Sequence, residues 1–368
     1  MRVPAMPATS STQLDTMSLS ATRDTMTQLA PDQVIADALL SIVDRWRKDP
    51  GDSIPLQELQ HTLEIVRKRP RGDERIKGMN TIVRTLGKPD TLATVLDMLR
   101  QSANRDGSVE QEIARVSQQG KMHSIYGWCG QTTVILSSPE ATEGTMPPTY
   151  PNVEERLRYP QPLWWISIHI WQPNPTAKGF ESGKRREPGV IMEPPHSHPF
   201  DFVSMLSVGT MRQSIYEPVE SSGAHGGNRY DGTLLEHVDG VWPPHEDRYS
   251  VRLKTVEDRI ALGPGDSYYM PCDRIHDVEV DLRDAMTTPA ITLFLASESL
   301  VLPHVYMAKS MADYHAEHPD ILNSAKALSP DNWDAKLRAT AAYLRGETAT
   351  LCLDDIVKAE TDYAFFHV

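Results

Sequence analysis

The stretch "PPHSHPFDF", Pro194 to Phe202, carries two histidines one residue apart, His196 and His198, just before a run of strand-forming residues. Side chains in a strand alternate faces, so His196 and His198 point the same way and can share one metal ion. Two surface histidines in a polar turn would read the same. The rest of the chain has to supply a third ligand and a fold.

The third ligand lies downstream in "GPGDSYYMPCDRIHDVEV", Gly263 to Val280. A Pro-Gly-Asp turn leads into a strand, Pro271 makes a second turn, and His276 opens another strand. Around both segments, "TTVILSS", "LWWISIHIW", "FDFVSMLSVGTMRQSIYEP", "IHDVEVDL" and "AITLFLASES" are rich in β-branched and aromatic residues. Turn clusters separate them and no helical period intervenes, which predicts an antiparallel sandwich or barrel over residues 120–310.

Upstream the texture is helical. Val34, Ile35, Ala38, Leu39, Ile42, Val43 and Trp46 recur at helical spacing behind Pro31, and "DPGD" ends the run. Further helices are predicted at Pro55–Lys68, Asp73–Leu86 and Thr91–Ala103, within a helical region 30–119 that serves packing or oligomerisation, a homodimer included. Residues 1–29, rich in Ser and Thr, read as a disordered tail, and 311–368 as a helical extension with helices at Pro330–Arg345 and Leu353–Glu360. Two long insertions interrupt the β region, the first running from Gln172 to Gly189. The second, Pro218 to Tyr249, holds His225, His237 and His245 and reads as an ordered cover over a site.

Composition narrows the function classes. The 368 residues are 39% hydrophobic and 24% charged, with a net charge of −13 and a pI near 5.5. An acidic chain without a basic recognition helix excludes an electrostatic case for nucleic acid or an anionic membrane. No run has the apolar length of a membrane helix. Cys129, Cys272 and Cys352 are odd in number and widely spaced, which fits a reducing compartment and a cytoplasmic protein.

The two histidine segments together resemble the paired signature motifs of the cupin superfamily, small double-stranded β-helix (jelly-roll) barrels that usually hold a metal. His196, His198 and Gly209 match the first motif. Gly265, Pro271 and His276 keep the spacing of the second, with Asp273 standing where the pattern has glycine. The first motif normally adds a glutamate four or five residues past its second histidine, but Phe202 and Val203 stand there. Asp201 is near. Regular alternation puts it on the opposite face, and only a bulge would turn it inward. A set of three neutral histidines is similar to the thiol dioxygenase branch of cupins.

The resemblance implies Fe(II) and an O2-dependent oxidation of a small molecule by a mononuclear non-haem iron enzyme. Imidazole ligands equally admit Ni, Zn, Mn or Cu, so a redox-inert metal serving an isomerase, lyase or hydrolase stays open, as does a non-catalytic ligand-binding barrel. Three candidates for substrate contact follow. His169 shares a face of "LWWISIHIW" with Ser167, Trp165 and Trp171, and is a substrate ligand or a surface histidine according to which face points inward. Tyr268 and Tyr269 alternate, so one of them faces the cavity, with Tyr268 the candidate. Arg212 could pair with a substrate carboxylate if it points inward. Cys272 reads as a buried, inert thiol.

Overall fold

A computed structural model describes residues 31–52, 54–103, 125–126, 131–138, 163–171, 190–219, 228–234, 248–281, 288–300, 304–307 and 330–351. The expected tail, the first insertion, His225, His237, His245, Cys129, Cys352 and the helix expected at Leu353–Glu360 lie outside the described residues.

Among the described residues four helices come first: α1 (Gln33–Lys48), α2 (Ile54–Arg67), α3 (Asp73–Leu86) and α4 (Pro89–Ala103). Each has a local cause. Asp32 caps α1 by accepting a hydrogen bond from the Ile35 N–H at 3.3 Å, and Arg45, Arg47 and Lys48 face the negative end of its dipole. Asp73 and Glu74 favour the positive end of α3, and Pro89 opens α4, where a missing N–H costs nothing. The buried stripe of α1 is Ile35, Leu39, Ile42, Val43 and Trp46, as the helical spacing predicts.

The β region follows as β1 (Ile125–Tyr126), β2 (Gln131–Ser137), β3 (Trp165–Trp171), β4 (Val190–His196), β5 (Phe200–Val208), β6 (Met211–Val219), β7 (Asn228–Leu234), β8 (Arg248–Leu262), β9 (Ser267–Met270), β10 (Ile275–Asp281), β11 (Ala290–Ser299) and β12 (His304–Met307). The last described element is α5 (Pro330–Leu344). β7 lies in the segment Pro218 to Tyr249, where no strand was expected. Part of that segment pairs antiparallel with β8 and β12.

All strand pairings among the described residues are antiparallel. One sheet runs β1-β2-β3-β11-β5-β9, and the other runs β10-β4-β12-β7-β8-β6 with β6 returning to β10. Setting aside β1, β2, β7 and β12, the remaining eight strands switch sheets at every step in chain order except between β6 and β8, which pair within the second sheet. They give β3-β11-β5-β9 in one and β4-β10-β6-β8 in the other. That order is the jelly roll, two interlocked Greek keys. The fold is a double-stranded β-helix.

The first sheet is buried on both faces. Trp164, Ile166, Ile168, Ile170, Val203, Met205, Ile291, Leu293 and Leu295 share one core with α1–α5. The alternate residues Trp171, Phe202, Leu206, Phe294 and Ala296 turn the other way and meet Met211, Ile215, Leu262, Val278 and Val280 of the second sheet. Two glycines permit close approaches. A Cβ on Gly209 (φ +82°) would lie 2.6 Å from Ala290 Cα, and one on Gly87 would lie 3.0 Å from Met205 Sδ, where α3 ends against β5.

Candidate metal centre

Strand register brings the first and third histidines together. His196, last in β4, is the direct partner of His276 in β10, so both project from the same face of the second sheet. Ile215 of β6 is the next partner along that row and lies in the inter-sheet core, which fixes the face as interior. His198 is not on a strand. It occupies the connection between β4 and β5, where its neighbours Ser197 and Pro199 bond the backbones of His304 and Leu300 and its ring meets that of Phe202. Ser197 donates its N–H to the His304 carbonyl at 2.8 Å and accepts the His304 N–H on its hydroxyl at 3.1 Å.

The candidate ligand atoms of His196, His198 and His276 lie within 4.8 Å of one another. His198 Nε2 is 3.1 Å from His196 Nε2 and 3.0 Å from His276 Nε2. A ring nitrogen offers one in-plane site, either a proton or a lone pair, so His198 Nε2 cannot satisfy both neighbours. A cation satisfies all three at once. Two nitrogens bound at right angles to one ion at about 2.1 Å stand about 3 Å apart, the spacing His198 keeps with each partner. The residues present therefore fit a metal ion.

Electrostatics point the same way. Burial, reinforced by His196 and its other histidine neighbours, holds His198 well below the usual imidazole range, and burial with His196 does the same to His276. Both are neutral near pH 7, the form that ligates. His276 Nδ1 is buried without a partner among the described residues. No carboxylate joins the cluster among those residues. Where the first motif's acid is expected, Phe202 places its ring 4.7 Å from that of His198 and 6.0 Å from that of His276.

Asp201 stays outside, as strand alternation predicts. It accepts the Cys272 N–H at 2.9 Å and pairs with Arg71 at 2.8 Å. Asp273 replaces the motif's glycine without strain, since Arg259 is the one non-glycine residue with positive φ among those described.

The chamber beside the histidines is aromatic. Phe202 and Phe294 are 4.5 Å apart between ring centroids, and Phe200 stands 5.3 Å from His198 and 4.4 Å from Trp165. The face of β3 that holds His169 points into this chamber. His169 packs 4.8 Å from Phe294 and 5.4 Å from Trp171, with its Nε2 3.3 Å from Ser167 Oγ. Burial, aided by His196, pushes its pKa down to about 3. Tyr268 also faces inward, 5.9 Å from Phe202, whereas Tyr269 turns to the helix side.

Arg212 is a correction. Met211 and Ile215 occupy the inward positions of β6, so Arg212 points outward, where it bonds Glu279 at 3.2 Å beside Arg259 at 2.6 Å. It is unavailable to a ligand in the chamber. The same alternation turns Gln213 inward. Its Oε1, Thr292 Oγ1 and Ser204 Oγ are buried without partners among the described residues. Thr292 is the register partner of His169, and Ser204 of Phe294. Sequence reading passed over these residues, although parity with Met211 and with Phe202 marks Gln213 and Ser204.

No family model matches the chain, and no curated protein does. Solved structures similar to it include a hydroquinone 1,2-dioxygenase in complex with Cd2+ and 4-hydroxybenzonitrile, at 13% identity and a TM-score of 0.20, covering 38% of this chain and 61% of that one. An oxalate decarboxylase from Lactobacillus farciminis follows at 12% identity and a TM-score of 0.23, covering 57% of this chain and 40% of that one. A vicilin from Solanum lycopersicum stands at 9% identity and 0.23, covering 50% and 32%. The matched segments span less than two thirds of these proteins' own lengths. Likenesses this distant carry no weight for the reaction, which rests on the site itself.

Proposed function

We propose that the chain is a mononuclear non-haem Fe(II) enzyme that oxidises a small polar molecule with O2. One observation carries the reading: three convergent imidazoles, two of them (His198 and His276) held well below the usual imidazole range by burial, with no carboxylate beside them among the described residues. A neutral ligand set leaves the full dipositive charge on the ion, which favours an anionic substrate atom and suits a redox metal. When bound, Fe(II) would supply a Lewis-acidic, redox-active centre with positions open to substrate and O2.

The chain's own residues would do the rest. Phe202 and Phe294 exclude water from the chamber, and half-buried Phe200 and Trp165 form its rim. His169, neutral at physiological pH, holds a proton on one ring nitrogen and offers the other, positioned by Ser167. The Tyr268 hydroxyl orients substrate from the β9 side.

The test is oxygen uptake by Fe(II)-loaded protein against a panel of small acids, amines and thiols, with Zn(II)-loaded protein alongside. The reading expects uptake with iron, none with zinc, and none from His276→Ala. Turnover by the zinc form without O2 would replace it with a redox-inert metal enzyme.

A further inference from the structure

Asp201 lies three residues past His198, yet its carboxylate takes no part in the cluster. It binds two other segments. Oδ1 accepts the Cys272 N–H at 2.9 Å, and Oδ2 meets Arg71 Nη2 at 2.8 Å. Cys272 sits in the turn between β9 and β10, four residues before His276, and Arg71 in the turn before α3. One carboxylate therefore touches the first ligand segment, the turn that delivers the third ligand, and the helical region.

The ladder shows why this position matters. β5 and β9 pair from Met205↔Ser267 to Phe202↔Met270, and there the pairing stops. His198 and His276 both lie beyond its end. The Asp201–Cys272 bond is a side-chain rung added one step past the last backbone rung. Asp201 is 15% exposed and Arg71 52%, so the carboxylate is the sheltered member and the guanidinium the solvent-side brace. The Cys272 thiol, pushed up to about 12 by burial and by Asp201 and Asp273, stays protonated and adds no competing charge.

We propose that Asp201 is a positioning residue that sets the spacing of His198 and His276, with Arg71 bracing it from the helical region. This rests on the three-histidine metal reading. The ligand set is complete without Asp201, so its loss leaves three histidines that converge less well. Groups that orient metal ligands typically contribute about 10–100-fold to metal affinity.

The experiment uses the full chain and Co(II) alone. Affinity is read by chelator competition at a temperature well below unfolding, and geometry from the visible Co(II) spectrum. Asp201→Ala should bind Co(II) about 10–100-fold more weakly, with an altered spectrum. Asp201→Asn keeps an acceptor oxygen for the Cys272 N–H, so it should recover most of the affinity and the native spectrum. Arg71→Ala should weaken binding by a few fold. Arg75→Ala breaks a different helix–sheet ion pair, to Glu298 at 2.8 Å, and should lower Tm while leaving Co(II) binding unchanged. Should Asp201→Ala fail to fold, Asp201→Asn against Arg71→Ala still decides.

Native Co(II) affinity and spectrum in Asp201→Ala, or in Arg71→Ala where that pair decides, would overturn the proposal while leaving the metal site standing. Equal weakening by Arg75→Ala would reduce Asp201 to a general stabiliser. Failure of the native protein to bind Co(II) would overturn both readings.

Discussion

His276 and Asp277 are neighbours in β10, both almost fully buried and polar, and they face opposite ways. Asp277 turns away from the chamber. Its carboxylate accepts the Ser214 N–H at 2.7 Å and the Tyr216 hydroxyl at 2.6 Å, beside a packed cluster of Tyr216, Leu253, Ile275 and Tyr306. His276 turns inward, with Nδ1 unpartnered among the described residues and Nε2 aimed at another imidazole nitrogen. Asp277 spends both carboxylate oxygens inside the fold, whereas His276 Nε2 faces an imidazole nitrogen that cannot serve both of its histidine neighbours at once. The difference separates structure from site along a single strand.

The sharpest way to break that comparison is to alter each side in turn. His276→Ala should abolish metal retention and turnover while the secondary structure, read by circular dichroism, persists. Tyr216→Phe should do the reverse, keeping the metal and lowering unfolding stability by about 1–3 kcal/mol, the typical cost of leaving a buried acceptor short of a partner. Metal loss from Tyr216→Phe with retention in His276→Ala would erase the distinction.

Next in size is His169→Ala. A proton-handling group contributes about 10²–10⁴-fold, so kcat should fall by at least about 10²-fold at unchanged metal content. Tyr268→Phe should fall less, about tenfold or below, with the larger change in KM if the hydroxyl orients substrate. Equal, small effects from both would mean that substrate does not reach the chamber.

Acid should then weaken the metal-free protein. His169 stays neutral in the folded state down to about 3, and burial also lowers His198 and His276. An unfolded histidine takes up its proton near 6.5. The unfolded state therefore binds more protons below about 6.5, and stability present above that pH is lost as pH falls towards 3. Chemical denaturation at pH 7.5, 6.0 and 5.0 reads the slope before most carboxylates titrate. A flat profile would contradict the burial of these imidazoles. The smallest effect belongs to Cys272→Ser, which keeps the backbone N–H that Asp201 accepts and should leave metal binding intact.

Much of this was legible in the sequence, for identifiable reasons. The helices announced themselves by period and punctuation, as with Ile35, Leu39, Ile42 and Trp46 before the Asp-Pro-Gly stop. The histidines were readable because a turn and a strand fix their spacing locally. The inward face of β3 was not, since Trp164, Ile166, Ile168 and Ile170 are as buried against the helices as Ser167 and Trp171 are in the chamber. Alternation defines two faces and cannot say which one is the barrel's. β7 escaped notice because "NRYDGTL" has turn-like composition and is held by its partners β8 and β12. The Asp201–Arg71 pair spans 130 residues and the His304–Ser197 bond 107, separations that no local pattern encodes. Among the described residues no helix is long and apolar enough to cross a membrane, as expected from hydropathy.

The central claim is that His196, His198 and His276 hold a redox metal. Elemental analysis of the protein purified without added metal, with His196→Ala beside it, tests this most directly. About one iron per native chain, absent from the variant, is the predicted result. A native protein that takes up no metal even after iron loading, or a variant that keeps its full complement, would contradict it.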